Sequence, residues 1–197
     1  MKHMRLTFLL ALSIAAPAAE AQETSAELYI NTALVAEVSY GLNCAVEITG
    51  SMEAPDTDRG QVDVFDTPPE LSPLGQVVPA LLGLGFGVRA RAADGVTITG
   101  ATFTVHHPPF PGRGTTTQSW RASYSDSAFS THLYRFDFPY EAVTGTWVMH
   151  ATYEGETLYR IPFTVVPPEA YPGAATLCDP ESLLSFAPLP EAEGAPG

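Results

Sequence analysis

From about Val77 to Val166 apolar and polar residues alternate with a period of two, and glycine or proline interrupts the pattern every few residues. Half-buried strands alternate in this way because successive side chains leave opposite faces of a sheet. Leu82, Leu84, Phe86, Val88 and Ala90 alternate with Gly83, Gly85, Gly87, Arg89 and Arg91. After the turn signal Asp94-Gly95 come Val96-Thr97-Ile98, then Ala101, Phe103 and Val105 between threonines. The parity changes across Gly100, which predicts a bulge or bend there. Pro108, Pro109 and Pro111 stop this strand, and shorter alternating sets follow at Trp120, Ala122, Tyr124 and at Tyr134, Phe136, Phe138.

A hairpin closes the pattern. Trp147, Met149, Ala151 and Tyr153 share one face, a turn at Glu154-Gly155 reverses the chain, and Tyr159, Ile161, Phe163 and Val165 return. Pro162 interrupts the returning strand and predicts a sheet edge or a bulge, since proline donates no ladder hydrogen bond. Upstream, Leu34 to Val46 and Gln61 to Phe65 each suit a strand, while residues 29–40 also suit a short helix. Seven or eight short strands without a long helix predict an antiparallel β-sandwich of immunoglobulin-like type, with a small β-barrel as the alternative. From Pro167 onward Pro, Ala and Glu dominate, so the expected organisation is a sandwich over 22–168 and an extended tail over 169–197, with one helical turn at Asp179-Pro180-Glu181.

Residues 1–21 carry the marks of a secretory signal peptide. Lys2 and Arg5 precede an apolar run from Leu6 to Ala16, and Ala19-Glu20-Ala21 supplies a small-x-small cleavage site, so the cut is expected between Ala21 and Gln22. The apolar run is shorter than the roughly 20 residues of a spanning helix, and nothing later is long enough, so no integral membrane segment is expected. The mature protein is expected to be periplasmic or secreted. Cleavage removes Lys2, the only lysine, and leaves seven arginines against 21 acidic residues. A chain without lysine forms no Schiff base and carries no P-loop, and so acidic a protein suits neither nucleic acid nor anionic membranes. Cys44 and Cys178, the only cysteines, are expected to pair in an oxidising compartment and to tie the tail to an early strand.

Gly85-Phe86-Gly87-Val88, His107-Pro108-Pro109, Gln118-Ser119-Trp120, Phe136-Asp137-Phe138-Pro139-Tyr140-Glu141, Gly145-Thr146-Trp147 and Phe163-Thr164-Val165 together resemble an exported bacterial family catalogued as a domain of unknown function. The resemblance spans about residues 85–165 and implies an envelope location and a sandwich fold. It brings no catalytic residues with it.

The residues that could carry chemistry are few. His106 and His107 are neighbours on a strand and point to opposite faces, so a metal site requires one of them to meet His132 or His150, with Asp137 or Glu141 as candidate further ligands. Solvated or core-bonded histidines are the simpler expectation. Met52 and Met149 are the only methionines of the mature chain, which is sparse for a copper carrier. Gly83, Gly85 and Gly87 lie within a strand on one face, which suits close approach of a neighbour and not a dinucleotide turn. Asp56/Asp58 and Glu154/Glu156 are expected to be solvated turn residues, with weak calcium binding by Asp56, Asp58 and Asp63 as the alternative. No Gly-x-Ser-x-Gly elbow or cysteine–histidine signature is present. The aromatic run from Tyr134 to Tyr140 is expected to be core.

These features predict a non-catalytic binding or interaction module of the cell envelope, with no cofactor and an unidentified envelope protein or ligand as partner. The alternative is periplasmic copper or zinc binding through histidines, and a hydrolase is the least supported. Contacts are expected around His106, Glu141 and Pro162.

Overall fold

The computed structural model describes residues 27–44, 47–72 and 75–179. The signal sequence with its Ala21–Gln22 cut, most of the tail, and Pro180 and Glu181 of the expected helical turn lie outside the described residues.

Among the described residues eleven strands run in chain order: β1 (Tyr29–Ile30), β2 (Val35–Asn43), β3 (Gly50–Glu53), β4 (Gln61–Val64), β5 (Val77–Pro79), β6 (Gly85–Ala92), β7 (Thr97–His106), β8 (Thr117–Ser125), β9 (Ser130–Arg135), β10 (Gly145–Tyr153) and β11 (Glu156–Val166). One sheet has the order β1-β11-β10-β7-β8, with β5 added in parallel to β11; a second has the order β2-β6-β9; β3 and β4 form a separate hairpin. All other pairings are antiparallel. The result is the expected all-β sandwich; the sheets do not close into a barrel.

The inner faces follow the period-two pattern. Phe86, Val88 and Ala90 of β6 are buried against Trp147 and Met149 of β10 and Ile161 and Phe163 of β11. Phe86 lies 5.6 Å from the Trp147 ring and 5.1 Å from that of Phe163, so one phenyl joins the two sheets. Each of these large side chains contributes about 1.5–3 kcal/mol by leaving water, which makes this seam the main stabilising element.

Two local expectations hold in detail. The β7–β8 register shifts between Thr99 and Ala101, and Gly100 has φ +80°, so Ile98 and Ala101 both face the core despite their odd spacing. Tyr153 pairs with Glu156 across Glu154 (φ 51°) and Gly155 (φ 87°), the two left-handed residues that a tight type I′ hairpin demands.

Other expectations need correction. The count exceeds seven or eight because β1, β3 and β5 are two to four residues long and carry no clear alternation. Residues 29–40 hold no helix: Leu34 and Val35 both donate to the Asn31 carbonyl, with the Ala33 N–H on the Asn31 side chain, and this single turn between β1 and β2 mimics a helical spacing. Leu82 is outside the core at 58% exposure, because the chain turns at Leu81–Leu84 before β6 begins. β9 starts at Ser130, earlier than the aromatic set, since Ser130-Thr131-His132 hides the apolar period. Tyr134 and Phe136 are core, but Phe138 is 43% exposed and stacks on Tyr140 in the loop that follows.

Pro162 lies neither on a continuous edge nor in a bulge. The outer side of β11 is covered by β1 at Tyr159 and Arg160 and by β5 at Thr164 to Val166, and Pro162 falls in the gap between them. The Thr164 N–H points outward to the Gln76 carbonyl. By the two-residue period the Pro162 nitrogen faces the same side, where no ladder partner requires an N–H.

Candidate functional site

A cleft of about 240 Å3 runs between the β3–β4 hairpin and the β8 and β9 strands. Its two long walls are Gln61 to Phe65 and Thr131 to Arg135, each lining it with consecutive residues, so both strands meet the cleft edge-on. In an antiparallel ladder the N–H and C=O of one residue point to the same side and alternate along the strand. Phe136 donates to the Leu84 carbonyl and accepts from the Gly83 N–H, so its backbone groups face the β6 side. Tyr134, His132 and Ser130 therefore pair with β6, and Thr131, Leu133 and Arg135 turn their backbone groups outward. On the other wall Ala54 donates to the Gly60 carbonyl at the end of the β3–β4 ladder, which sets Val62 and Val64 toward β3 and Gln61, Asp63 and Phe65 toward the cleft. The Gln61 carbonyl accepts from the Thr57 hydroxyl. Among the described residues no backbone group pairs with the outward positions of β9 or with Asp63 and Phe65.

One end of the cleft is closed by an alternating ring of charges. Arg59 contacts Asp137 at 2.9 Å and Asp63 at 3.5 Å, and Arg135 contacts the same two carboxylates at 2.6 and 3.6 Å. Glu141 lines the cleft beside this ring and is only 3% exposed. Its Oε2 accepts the Asp137 and Phe138 N–H groups at 2.7 and 2.9 Å, fixing the turn after β9. Burial raises its pKa, and those two amides oppose the rise.

Gln118 and Trp120 of β8 also line the cleft, and Ser119 lies between them. Buried Gln118 accepts the Asp58 N–H at 2.9 Å and donates to the Tyr134 hydroxyl at 3.2 Å and toward His107 Nε2 at 3.4 Å. Ser119 donates its N–H to the Asp56 carbonyl, and Trp120 Nε1 donates to His132 Nδ1 at 3.2 Å. These three residues hold the β3–β4 loop, β9 and the His107 loop on one strand. The same loop explains Asp58, which is not a solvated turn residue: its carboxylate receives Arg113 at 2.9 Å and the Tyr140 hydroxyl at 3.1 Å. Asp58 and Asp63 therefore hold arginines, and no group of three or more metal-ligating side chains occurs among the described residues.

The four candidate histidines do not converge. His107 is buried, stacked on Phe110 at 3.9 Å, and donates Nδ1–H to the Pro108 carbonyl. Burial lowers its pKa, an effect that bond opposes. His132 lies against Phe103 and Trp120, and burial pushes its pKa down to about 4. His106 and His150 do meet, 6.3 Å apart between ring centroids, with both pKa values lowered first by burial and then by the Arg160 charge. Of the expected contact residues, Glu141 lines the cleft, whereas His106 and Pro162 belong to the β1–β8 sheet and do not line it. The residues that build the cleft edges, Asp63, Thr131, Leu133 and Arg135, carry no motif. The sequence signals near them are Gln118-Ser119-Trp120 and the Phe136–Glu141 motif, which brings Asp137 and Glu141 to the cleft.

Cys44 and Cys178 form the expected disulfide, with Cα atoms 5.2 Å apart. It secures Leu177, which is buried, beside β2.

Among solved structures the chain is similar to an immunoglobulin-like protein from Pseudomonas aeruginosa, at 19% identity and a TM-score of 0.43, over 73% of this chain and 99% of that one. No curated protein matches the chain. A family profile described as Domain of unknown function (DUF3859) matches residues 31–165, from β2 through all but the last residue of β11 and over both walls of the cleft, and the chain belongs to that family.

Proposed function

We propose that the protein is an exported, non-catalytic binding module of the cell envelope that takes another envelope component into the cleft between β4 and β9. The observation that carries this reading is the pair of unpaired strand edges facing one cleft, because exposed edges are normally covered or blunted in a finished fold. The Cys44–Cys178 bond suits an oxidising compartment and so supports export. The carboxylates nearest the cleft serve the fold, which supports binding over catalysis: Glu141 fixes the turn after β9 through two amides, and Asp137 is held by two arginines. A photocrosslinking residue at Val64, on the rim, is expected to give a discrete adduct in the native envelope, and the same residue at Thr99, outside the cleft, none. Equal adducts from both positions, or turnover of a substrate by the purified protein, would sink this reading.

A second reading, copper or zinc held by the His106–His150 pair, has the 6.3 Å approach of those rings in its favour. It requires stoichiometric metal binding that His150→Ala abolishes. Arg160 beside both imidazoles works against a cation there.

A further inference from the structure

We infer that the cleft accepts one extended peptide segment of a partner protein, inserted as a strand between β4 and β9; the inference rests on the binding reading above and specifies its occupant. Three features point to a strand and not to a compact ligand. Both long walls are strand edges met side-on, with Thr131, Leu133 and Arg135 on one and Asp63 and Phe65 on the other offering N–H and C=O groups without backbone partners among the described residues. Extended chain is the one structure whose own backbone alternates donors and acceptors to both sides, so a single segment satisfies both walls and joins β3-β4 to β2-β6-β9 as one sheet. Thr131 adds an orphan: its hydroxyl is buried without a hydrogen-bond partner.

Charge selects the segment further. The Arg59–Asp63–Arg135–Asp137 ring is internally balanced and asks nothing of a ligand. Arg121 is different. It is exposed and lines the cleft at the Trp120 end, and the seven ion pairs among the described residues use Arg59, Arg91, Arg113 and Arg135 but not Arg121. In so acidic a chain an unengaged arginine on the rim selects a carboxylate. The segment is therefore apolar where it meets Trp120 on the core-side face and Leu133 on the opposite face, and acidic where it passes Arg121.

The test uses the disulfide-bonded protein and a displayed library of random twelve-residue peptides. The expected result is enrichment of sequences with apolar residues at positions of both parities and an Asp or Glu, and protection of the Thr131, Leu133, Arg135 and Asp63 amides from hydrogen exchange when a synthetic winner is added. Methylating peptide nitrogens one at a time should weaken binding at positions of both parities, since alternate N–H groups face opposite walls. Thr131→Pro, which removes an outward N–H and leaves the β6 ladder intact, should weaken binding by about tenfold or more, and Thr131→Val by less than about threefold. Arg121→Glu should turn the acidic preference into a basic one. Sensitivity to methylation at neither parity, or at one parity alone, overturns insertion between two edges, whatever the behaviour of Thr131→Pro. So does a library that yields no cleft-binding peptide. If the same amides are already protected without peptide, loss of that protection on dilution would assign the cleft to a second copy of this chain, and loss in a variant ending at Asp179 would assign it to the chain's own C-terminal segment; either overturns the proposal. A Val64 adduct that persists in any of these cases leaves the broader binding reading standing.

Discussion

Leu133 of β9 lies across Gly87 of β6, in the space that a β-carbon at position 87 would need. A Cβ built there comes within 2.5 Å of Leu133 Cδ2 and 3.0 Å of Leu133 Cα, and closer still to the His132 carbonyl oxygen. Two of these obstacles belong to one side chain and the strand that carries it, and the third is a backbone carbonyl that cannot swing aside. The glycine therefore sets how closely β9 docks, and with it the position of the cleft wall. Gly87→Ala is expected to destabilise the fold by about 2–3 kcal/mol, read as a lower urea midpoint. Gly95→Ala is the reference: it meets no atom within 4 Å, so only the strain of its φ of +76° is felt. Equal costs at the two positions would refute the packing argument.

His132 makes stability depend on acid. Its Nδ1 accepts from Trp120 Nε1 and its Nε2 faces the Ser130 hydroxyl, an arrangement that fits only the neutral ring. With its pKa pushed from 6.5 down to about 4, the unfolded chain takes up a proton that the folded chain refuses. Stability is thus full above pH 6.5 and falls as pH drops toward 4, by about 2–3 kcal/mol for this residue. His106, His107 and His150 act in the same direction, and Glu141, with its pKa raised, in the opposite one. Unfolding midpoints of the wild type and His132→Gln, measured from pH 8 to 4, should run parallel above about pH 6.5, and their difference should change steadily as pH falls from 6.5 to 4.

Reduction of Cys44–Cys178 releases a loop spanning 134 residue steps. Loop-closure entropy sets the loss at about 5 kcal/mol at most, and the double Cys→Ser variant should unfold at correspondingly lower urea. Leu177 should become accessible to exchange first, because it packs on the core from the segment that the adjacent Cys178 ties down. A variant as stable as the oxidised protein would show that the sandwich needs no such tie.

Removing the Glu141 carboxylate leaves the Asp137 and Phe138 amides without their acceptor. Glu141→Ala is expected to cost about 2–3 kcal/mol, and Glu141→Gln less, since its side-chain oxygen can still accept. The larger change should also free Asp137 from the ring with Arg59 and Arg135, visible as altered shifts of both guanidinium groups. If Glu141→Ala leaves stability unchanged, the turn is held by the aromatic stack of Phe138 and Tyr140 alone.

The sandwich was legible because its information is local. A period of two assigns a face to Phe86, Phe103, Trp147 and Phe163 without knowledge of their partners, and a parity slip at Gly100 or a Glu-Gly pair at 154–155 signals its own geometry. Where polar residues break the period, as at Ser130-Thr131-His132, the start of the strand is hidden although it forms. Asp58 was misjudged for a related reason: its Arg113 and Tyr140 partners lie 55 and 82 residues away, and only packing brings them to it.

The amino-acid sequence by itself determined the strand faces, the tight turns, the pairing of its two cysteines and the acidic balance, because each follows from neighbouring residues or simple counts. The tertiary structure alone decided that Gln61–Val64 and Ser130–Arg135 face each other with their edges open. An edge is defined by the neighbour it lacks, and a strand's own residues do not encode which neighbour will be missing.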